Sequence, residues 1–148
     1  MIERLQNTVP DVAKEIIELQ KRSYPIEARL LGVKELPPMA DTAEQIENTT
    51  EMFFGFREGD RLLGVIGCEE LREVNVLARL AVHPDYLQQG IASRLLEHLL
   101  GEVPLPLEVM TGRSNTPAIE LYEKYGFHYE GDSVMTEEGI ELVRLVKT

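Results

Sequence analysis

Leu80-Ala81-Val82-His83-Pro84-Asp85-Tyr86-Leu87-Gln88-Gln89-Gly90-Ile91-Ala92-Ser93-Arg94-Leu95-Leu96 reads as a strand, a short polar turn and the start of a helix. A helix start presents amide N–H groups with no partner inside the helix, together with the positive end of the helix dipole. Gly90 and Ala92 leave the main chain uncovered there, so an anionic group can approach it closely. This combination predicts a phosphate or pyrophosphate site. The plainer alternative is that the two small residues only let strand and helix pack tightly.

Composition narrows what such a site could serve. A chain of 148 residues is most simply one domain, 1–148. Cys68 is its single cysteine, so no internal disulfide can form, and burial as a small hydrophobe is its expected role. Met1 to Asn7 has neither the basic lead nor the apolar core of a signal peptide, and the longest mostly apolar run, Leu62 to Cys68, is too short for a membrane span. A cytoplasmic protein without a membrane partner is expected. The net charge is −11, from 15 basic and 26 acidic residues. Such a surface repels a phosphate backbone, so nucleic acid is not an expected partner. Solubility is the plain explanation of the acidic excess, and attraction of cationic amines is the sharper one.

The pattern along the chain supplies the architecture. Residues 1–5 form a short candidate strand. A helix is expected from Val9-Pro10, with Thr8 as cap, Pro10 in its first turn and Val12, Ile16, Ile17 and Leu19 as its apolar stripe; Pro25 should stop or bend it. Pro37-Pro38 breaks any helix, and Thr42 with Gln45 has capping-box spacing for a second, short one. Met52 to Phe56, the turn Glu58-Gly59-Asp60 and Leu62 to Cys68 read as a hairpin. A further strand over Val74 to His83 should alternate, with Val74, Val76, Ala78, Leu80 and Val82 on one face and Asn75, Leu77, Arg79, Ala81 and His83 on the other. The helix after Gln89 should close at Gly101. Then come a strand over Leu105 to Met110, a helix from Thr116-Pro117 capped near Asn115 and ended by Gly126, a strand over Phe127 to Glu130 and a last strand over Ile140 to Lys147. Hairpins and helical crossovers in one chain imply an α/β fold built on a mixed sheet with helices on both faces.

Two stretches carry a family resemblance. Leu80-Ala81-Val82-His83-Pro84-Asp85-Tyr86 with Gln89-Gly90-Ile91-Ala92, followed by Asn115-Thr116-Pro117-Ala118 through Leu121-Tyr122-Glu123-Lys124-Tyr125-Gly126-Phe127, resembles the GCN5-related N-acetyltransferases (GNAT). The element order agrees over the whole chain, and the specific motifs lie within residues 74–131. The resemblance implies a central, mostly antiparallel mixed sheet and transfer of an acetyl group from acetyl-CoA to an amine. It also implies that Gln88, Gln89, Gly90, Ile91, Ala92 and Ser93 hold the CoA pyrophosphate through their amides. The main chain of Leu80, Ala81 and Val82 would pair with pantetheine, with Asn115 and Ala118 at the pantetheine arm and Tyr122 near the sulfur as general acid. One position departs from the family pattern: Leu87 stands where the family usually has Arg or Gln, three residues before the glycine.

The chemistry asks for a neutral amine, a polarised carbonyl and a protonated leaving thiolate. Alkyl amines, with a pKa near 10.4, are mostly protonated at neutral pH, so a proton acceptor helps, while a tyrosine keeps its proton until thiolate forms. Glu69 and Glu70 are the candidate bases, with Glu73, Glu108 and His83 behind them. The plain reading of the glutamates is a solvated turn, and that of Tyr122 a core aromatic sharing a face with Ala118 and Tyr125. His98 and His128 lack ligand spacing, so no metal is expected. A small-molecule or peptide amine is the expected acceptor, and acidic residues in the loops favour a cationic one; the terminal strands offer an edge through which two copies could form a homodimer. The competing function is a non-catalytic acyl-CoA-binding sensor or regulatory module, which would not need Tyr122. A general nucleotide-binding protein ranks last, because neither a P-loop lysine nor a Rossmann glycine triplet is present.

Overall fold

The computed structural model describes residues 1–148, the side chain of Pro37 excepted. Its elements are β1 (Ile2–Leu5), α1 (Pro10–Leu30), a 3-10 turn (Pro37–Ala40), α2 (Ala43–Asn48), β2 (Met52–Glu58), β3 (Arg61–Glu70), β4 (Asn75–Val82), a second 3-10 turn (Pro84–Tyr86), α3 (Ile91–Glu102), β5 (Leu107–Gly112), α4 (Thr116–Lys124), β6 (His128–Tyr129), β7 (Val134–Met135) and β8 (Glu141–Lys147). The sheet runs β1-β2-β3-β4-β5-β8-β6, with β7 also on β8. Its pairs are antiparallel except β4–β5, which the α3 crossover makes parallel. The expected mixed sheet with helices on both faces is thus present. One apolar core lies under α3 and α4, around Phe54, Ile66, Leu95, Leu99 and Leu145. The other lies under α1 and α2, around Ile16, Tyr24, Ile46, Phe53 and Val65. No helix among the described residues is long and apolar enough to cross a membrane.

Several local expectations are corrected, each for a backbone reason. Val9, not Thr8, is the N-cap of α1, and it makes no side-chain cap bond; Pro10 at the first helical position needs no N–H partner. Pro25 does not stop the helix, which runs on to Leu30 because Tyr24 and Ala28 bury their side chains on either side of the lost hydrogen bond and hold it. Gly101 lies inside α3, which ends when the N–H of Val103 bonds to the Leu99 carbonyl. β5 starts at Leu107 instead of Leu105, since Pro106 has no N–H to give and uses only its carbonyl, accepting from Asn75. The Thr42–Gln45 capping box forms in both directions as expected, at 3.2 and 2.8 Å.

The correction that matters most is in β4. Simple alternation put Leu77 on the Arg79 face, yet Leu77 lies in the core under α3 together with Val82, whereas Ala81 lies in the core under α1. The register explains this: Gly67 pairs with Arg79 and Cys68 with Leu77, so Ala78 is an extra residue. A bulge of this kind flips the alternation and bends the strand.

Gly64 on β3 sets how closely α3 approaches the sheet. A Cβ there would stand 2.7 Å from Cγ2 of Ile91 and 3.0 Å from Cδ1 of Leu95. Cγ2 of Ile91 sits on a branched Cβ and cannot swing away. Gly64→Val should therefore lift the first turn of α3 and destabilise the fold by about 1–3 kcal/mol, read by chemical denaturation. An unchanged denaturation midpoint would contradict this packing.

Candidate active site

The cleft begins where β4 leaves β5. The two strands pair only at Asn75–Leu77 against Leu107–Val109, and the bulge at Ala78 follows at once. Beyond it, β5 continues on β8 as far as Gly112, while β4 stays on β3 as far as Val82. The gap between them opens into a cleft of about 630 Å³. The N–H of His83 bonds to the Leu63 carbonyl at 2.8 Å. Since hydrogen-bonded pairs alternate along an antiparallel ladder, Ala81 and Arg79 also turn their main-chain groups toward β3. Leu80 and Val82 therefore turn theirs toward the cleft. Of the three residues expected there, two offer main-chain partners and Ala81 does not.

At one end of this open edge lies the start of α3. Gln88 has φ of 62° and Gly90, the N-cap, has φ of 81°. Two left-handed residues so close together turn successive N–H groups inward, the geometry of an anion nest. Gly90 brings no side chain to bond the N–H groups of the first helical turn, and no atom lies within 4 Å of where its Cβ would be. Gln88, Gly90, Ile91, Ala92 and Ser93 line the cleft; Gln89 does not. Leu87, half exposed, lines it as well. The loop is held from below by His83, which is buried, accepts the N–H of Asp85 on Nδ1 at 3.1 Å and packs edge-on against Tyr86. His83 thus supports the turn and does not line the cleft.

The opposite wall carries the titratable groups. Asn115 caps α4 by accepting the N–H of Ala118 at 3.3 Å, and its Nδ2 donates to Oε1 of Glu27 at 3.2 Å. Tyr122, two turns along α4 from that cap, is 4% exposed and packs against Phe127 with ring centres 5.4 Å apart. Burial pushes its phenol well above the ordinary tyrosine range, and the nearby Glu27 and Tyr24 push it further. Burial likewise raises the Glu27 carboxyl above the usual glutamate range, opposed by the Asn115 hydrogen bond. Asn115, Ala118, Tyr122 and Glu27 all line the cleft.

The glutamates expected as bases are placed elsewhere. Glu69 and Glu70 face Val76 and Asn75 across the ladder, at the end of β4 where β5 is still paired, and neither lines the cleft. Glu108 is ion-paired with Arg144. Glu27 escaped the sequence reading. A signal for it exists: Ile16, Gln20, Tyr24 and Glu27 recur at helical spacing, which carries the buried stripe of α1 on to a carboxylate at the cleft.

Among the described residues the other charged residue lining the cleft is Arg79, and four hydrogen bonds hold it. Its guanidinium makes two bonds to Glu51 at 2.9 and 2.7 Å, and reaches Gln20 at 2.9 Å and Asp41 at 3.0 Å, over the ring of Phe53. Among the described residues no group of three His, Cys, Asp or Glu is arranged to hold a metal.

Comparison with known proteins places this geometry. Residues 27–148 match the family model of the acetyltransferase (GNAT) domain. Over 144 residues the chain is 33% identical to the UPF0157 protein YqkA of Bacillus subtilis (strain 168), covering 96% of this chain and 42% of that protein. Over 58 residues it is 47% identical to the ribosomal protein bS18-alanine N-acetyltransferase of Escherichia coli (strain K12), covering 35% of this chain and 38% of that one. Each match spans less than half of the relative's own length. Among solved structures, the PaiA N-acetyltransferase of Thermoplasma acidophilum in complex with coenzyme A shares the fold, with a TM-score of 0.74 at 18% identity over 97% of this chain and 98% of that one. The family model takes in both walls of the cleft, from Glu27 to Tyr122 and beyond, and the chain belongs to the GNAT acetyltransferase family.

Proposed function

We propose that this protein transfers an acetyl group from acetyl-CoA to a primary amine. The observation that carries the reading is the meeting, in one cleft, of the open edge of β4, the uncapped start of α3 and the buried phenol of Tyr122. The donor fits these features one by one. Its pyrophosphate suits the amides around Gln88, Gly90, Ile91, Ala92 and Ser93, where inward N–H groups and a helix dipole coincide. Its pantetheine arm is a thin chain with amide groups, suited to the main-chain donors and acceptors of Leu80 and Val82. Asn115 and Ala118 flank that arm. A full phosphate charge has to be held against a surface of net charge −11, so these short-range main-chain donors do the holding.

In the reaction the amine nitrogen attacks the thioester carbonyl, the C–N bond forms and the C–S bond breaks. A main-chain N–H of the open β4 edge polarises the carbonyl oxygen. Tyr122 gives its proton to the departing sulfur, a role supported by its place on the cleft wall and by a raised pKa that keeps it protonated throughout the neutral range.

Amine-dependent release of free thiol from acetyl-CoA is expected when the purified protein meets a panel of primary amines. Binding of acetyl-CoA without thiol release on any of them would instead identify an acyl-CoA-binding module. Tyr122→Phe, nearly isosteric, should lower kcat by about 10²-fold or more with acetyl-CoA binding retained; an unaltered kcat would remove Tyr122 from the mechanism. Gly90→Val must adopt a left-handed conformation that disfavours it by about 1–2 kcal/mol, and its side chain fills the cradle. Its dissociation constant for CoA, measured by calorimetry, should rise at least about tenfold.

A further inference from the structure

We infer that Glu27 receives the acceptor's ammonium group and takes its proton, and that the acceptor is a monoamine whose remaining body is apolar. This deepens the acetyltransferase reading proposed above and rests on it. Two charged side chains line the cleft, Arg79 and Glu27. Glu51, Asp41 and Gln20 already occupy Arg79. Glu27 has one hydrogen-bond donor, Nδ2 of Asn115, and no Lys, Arg or His among the described residues forms an ion pair with it. A partly buried carboxylate without a cation is costly to keep charged, and a ligand ammonium is the partner that would satisfy it.

The surroundings of Glu27 limit what can carry that ammonium. Tyr24, Leu30, Leu31, Leu36, Ile140 and Leu142 line the same part of the chain's cleft, and none of them holds a charge. The groups facing Glu27 are Tyr24 from its own helix and Asn115 and Tyr122 from α4, with Arg79 of β4 beyond Tyr24. An acceptor with a second or third ammonium would press it against leucines with no anion to meet it. A single ammonium on an alkyl or aryl body matches both features.

The proton steps balance. The ammonium gives one proton to the Glu27 carboxylate and becomes a neutral amine. After the C–N bond forms, Tyr122 gives its proton to the leaving sulfur, and the surplus proton of the new amide nitrogen restores the phenol. Glu27 then releases its proton to solvent. The burial that raises the Glu27 carboxyl makes it a stronger base than an exposed glutamate. Asn115 acts as a positioning residue, fixing one oxygen of that carboxylate.

The test compares 2-phenylethylamine and n-pentylamine with putrescine and spermidine, using the wild-type chain, Glu27→Gln and Leu30→Asp. The wild type should favour the monoamines by at least about tenfold in kcat/KM, the scale of one pocket contact. Glu27→Gln should lower kcat/KM for monoamines by about 10²-fold or more, leave the dissociation constant for CoA unchanged, and give a rate that climbs with pH as free amine accumulates. Leu30 is half exposed at the rim, so Leu30→Asp should fold and should narrow the preference for monoamines over diamines. Glu27→Gln should also melt higher than the wild type at neutral pH. A carboxyl whose folded pKa is raised weakens the fold as pH climbs through that value, so the advantage should vanish below the ordinary glutamate range. Full monoamine turnover by Glu27→Gln with an unchanged pH profile, or a wild-type preference for spermidine, would overturn the inference and leave the acetyltransferase reading intact. Acetyl-CoA binding with no turnover of any amine would overturn both.

Discussion

The parting of β4 from β5 is the constraint on which the rest of this structure depends. Three residues of parallel pairing are enough to fix the strands side by side, and the extra residue at Ala78 then turns β4 away. Without the bulge the parallel ladder could continue, the next edge groups of β4 would be spent on β5, and no cleft would open. With it, the two walls acquire separate supports. The wall formed by β4 and the start of α3 is held by β3, by the tight seat of α3 on Gly64 and by the His83 turn. The other wall is held by α1 and α4, joined through the Asn115–Glu27 hydrogen bond.

Arg79 ties these halves together. It comes directly after the bulge, and its guanidinium reaches a residue of α1, one before α2 and one before β2. Burying a guanidinium is tolerable only when its donors are largely met, and here two carboxylates and an amide accept four hydrogen bonds from it. The Nε2 of Gln20 is left without a partner in its buried position, so this network is close to complete but not entirely so.

Much of this was legible in the sequence because it is written in local chemistry. The strand–turn–helix at residues 80–96, the Thr42–Gln45 box and the Asn115 cap each depend on neighbours a few residues apart. What was not legible depends on partners distant in the chain. The bulge at Ala78 carries no glycine or proline to mark it, and it arises from how β3 and β5 compete for β4. Gly101 and Pro25 are ordinary breakers overruled by packing on both sides. Glu69 and Glu70 stand out as a cluster, whereas Glu27 is a single carboxylate 88 residues from the asparagine that bonds to it. Only folding α1 against α4 reveals it.

An open strand edge is usually a hazard, since unpaired N–H and C=O groups recruit strands from other molecules. Here the edge of Leu80 and Val82 lies inside the sheet, at the mouth of a wedge that closes on Leu77 and Val109. A foreign strand needs a uniform gap on both sides and room for side chains above and below, and a narrowing wedge gives neither. A slender chain bearing amides but no side chains meets no such obstacle. The taper of the sheet thus works as a filter: it leaves the edge open to a slender molecule without offering it to the strands of other proteins.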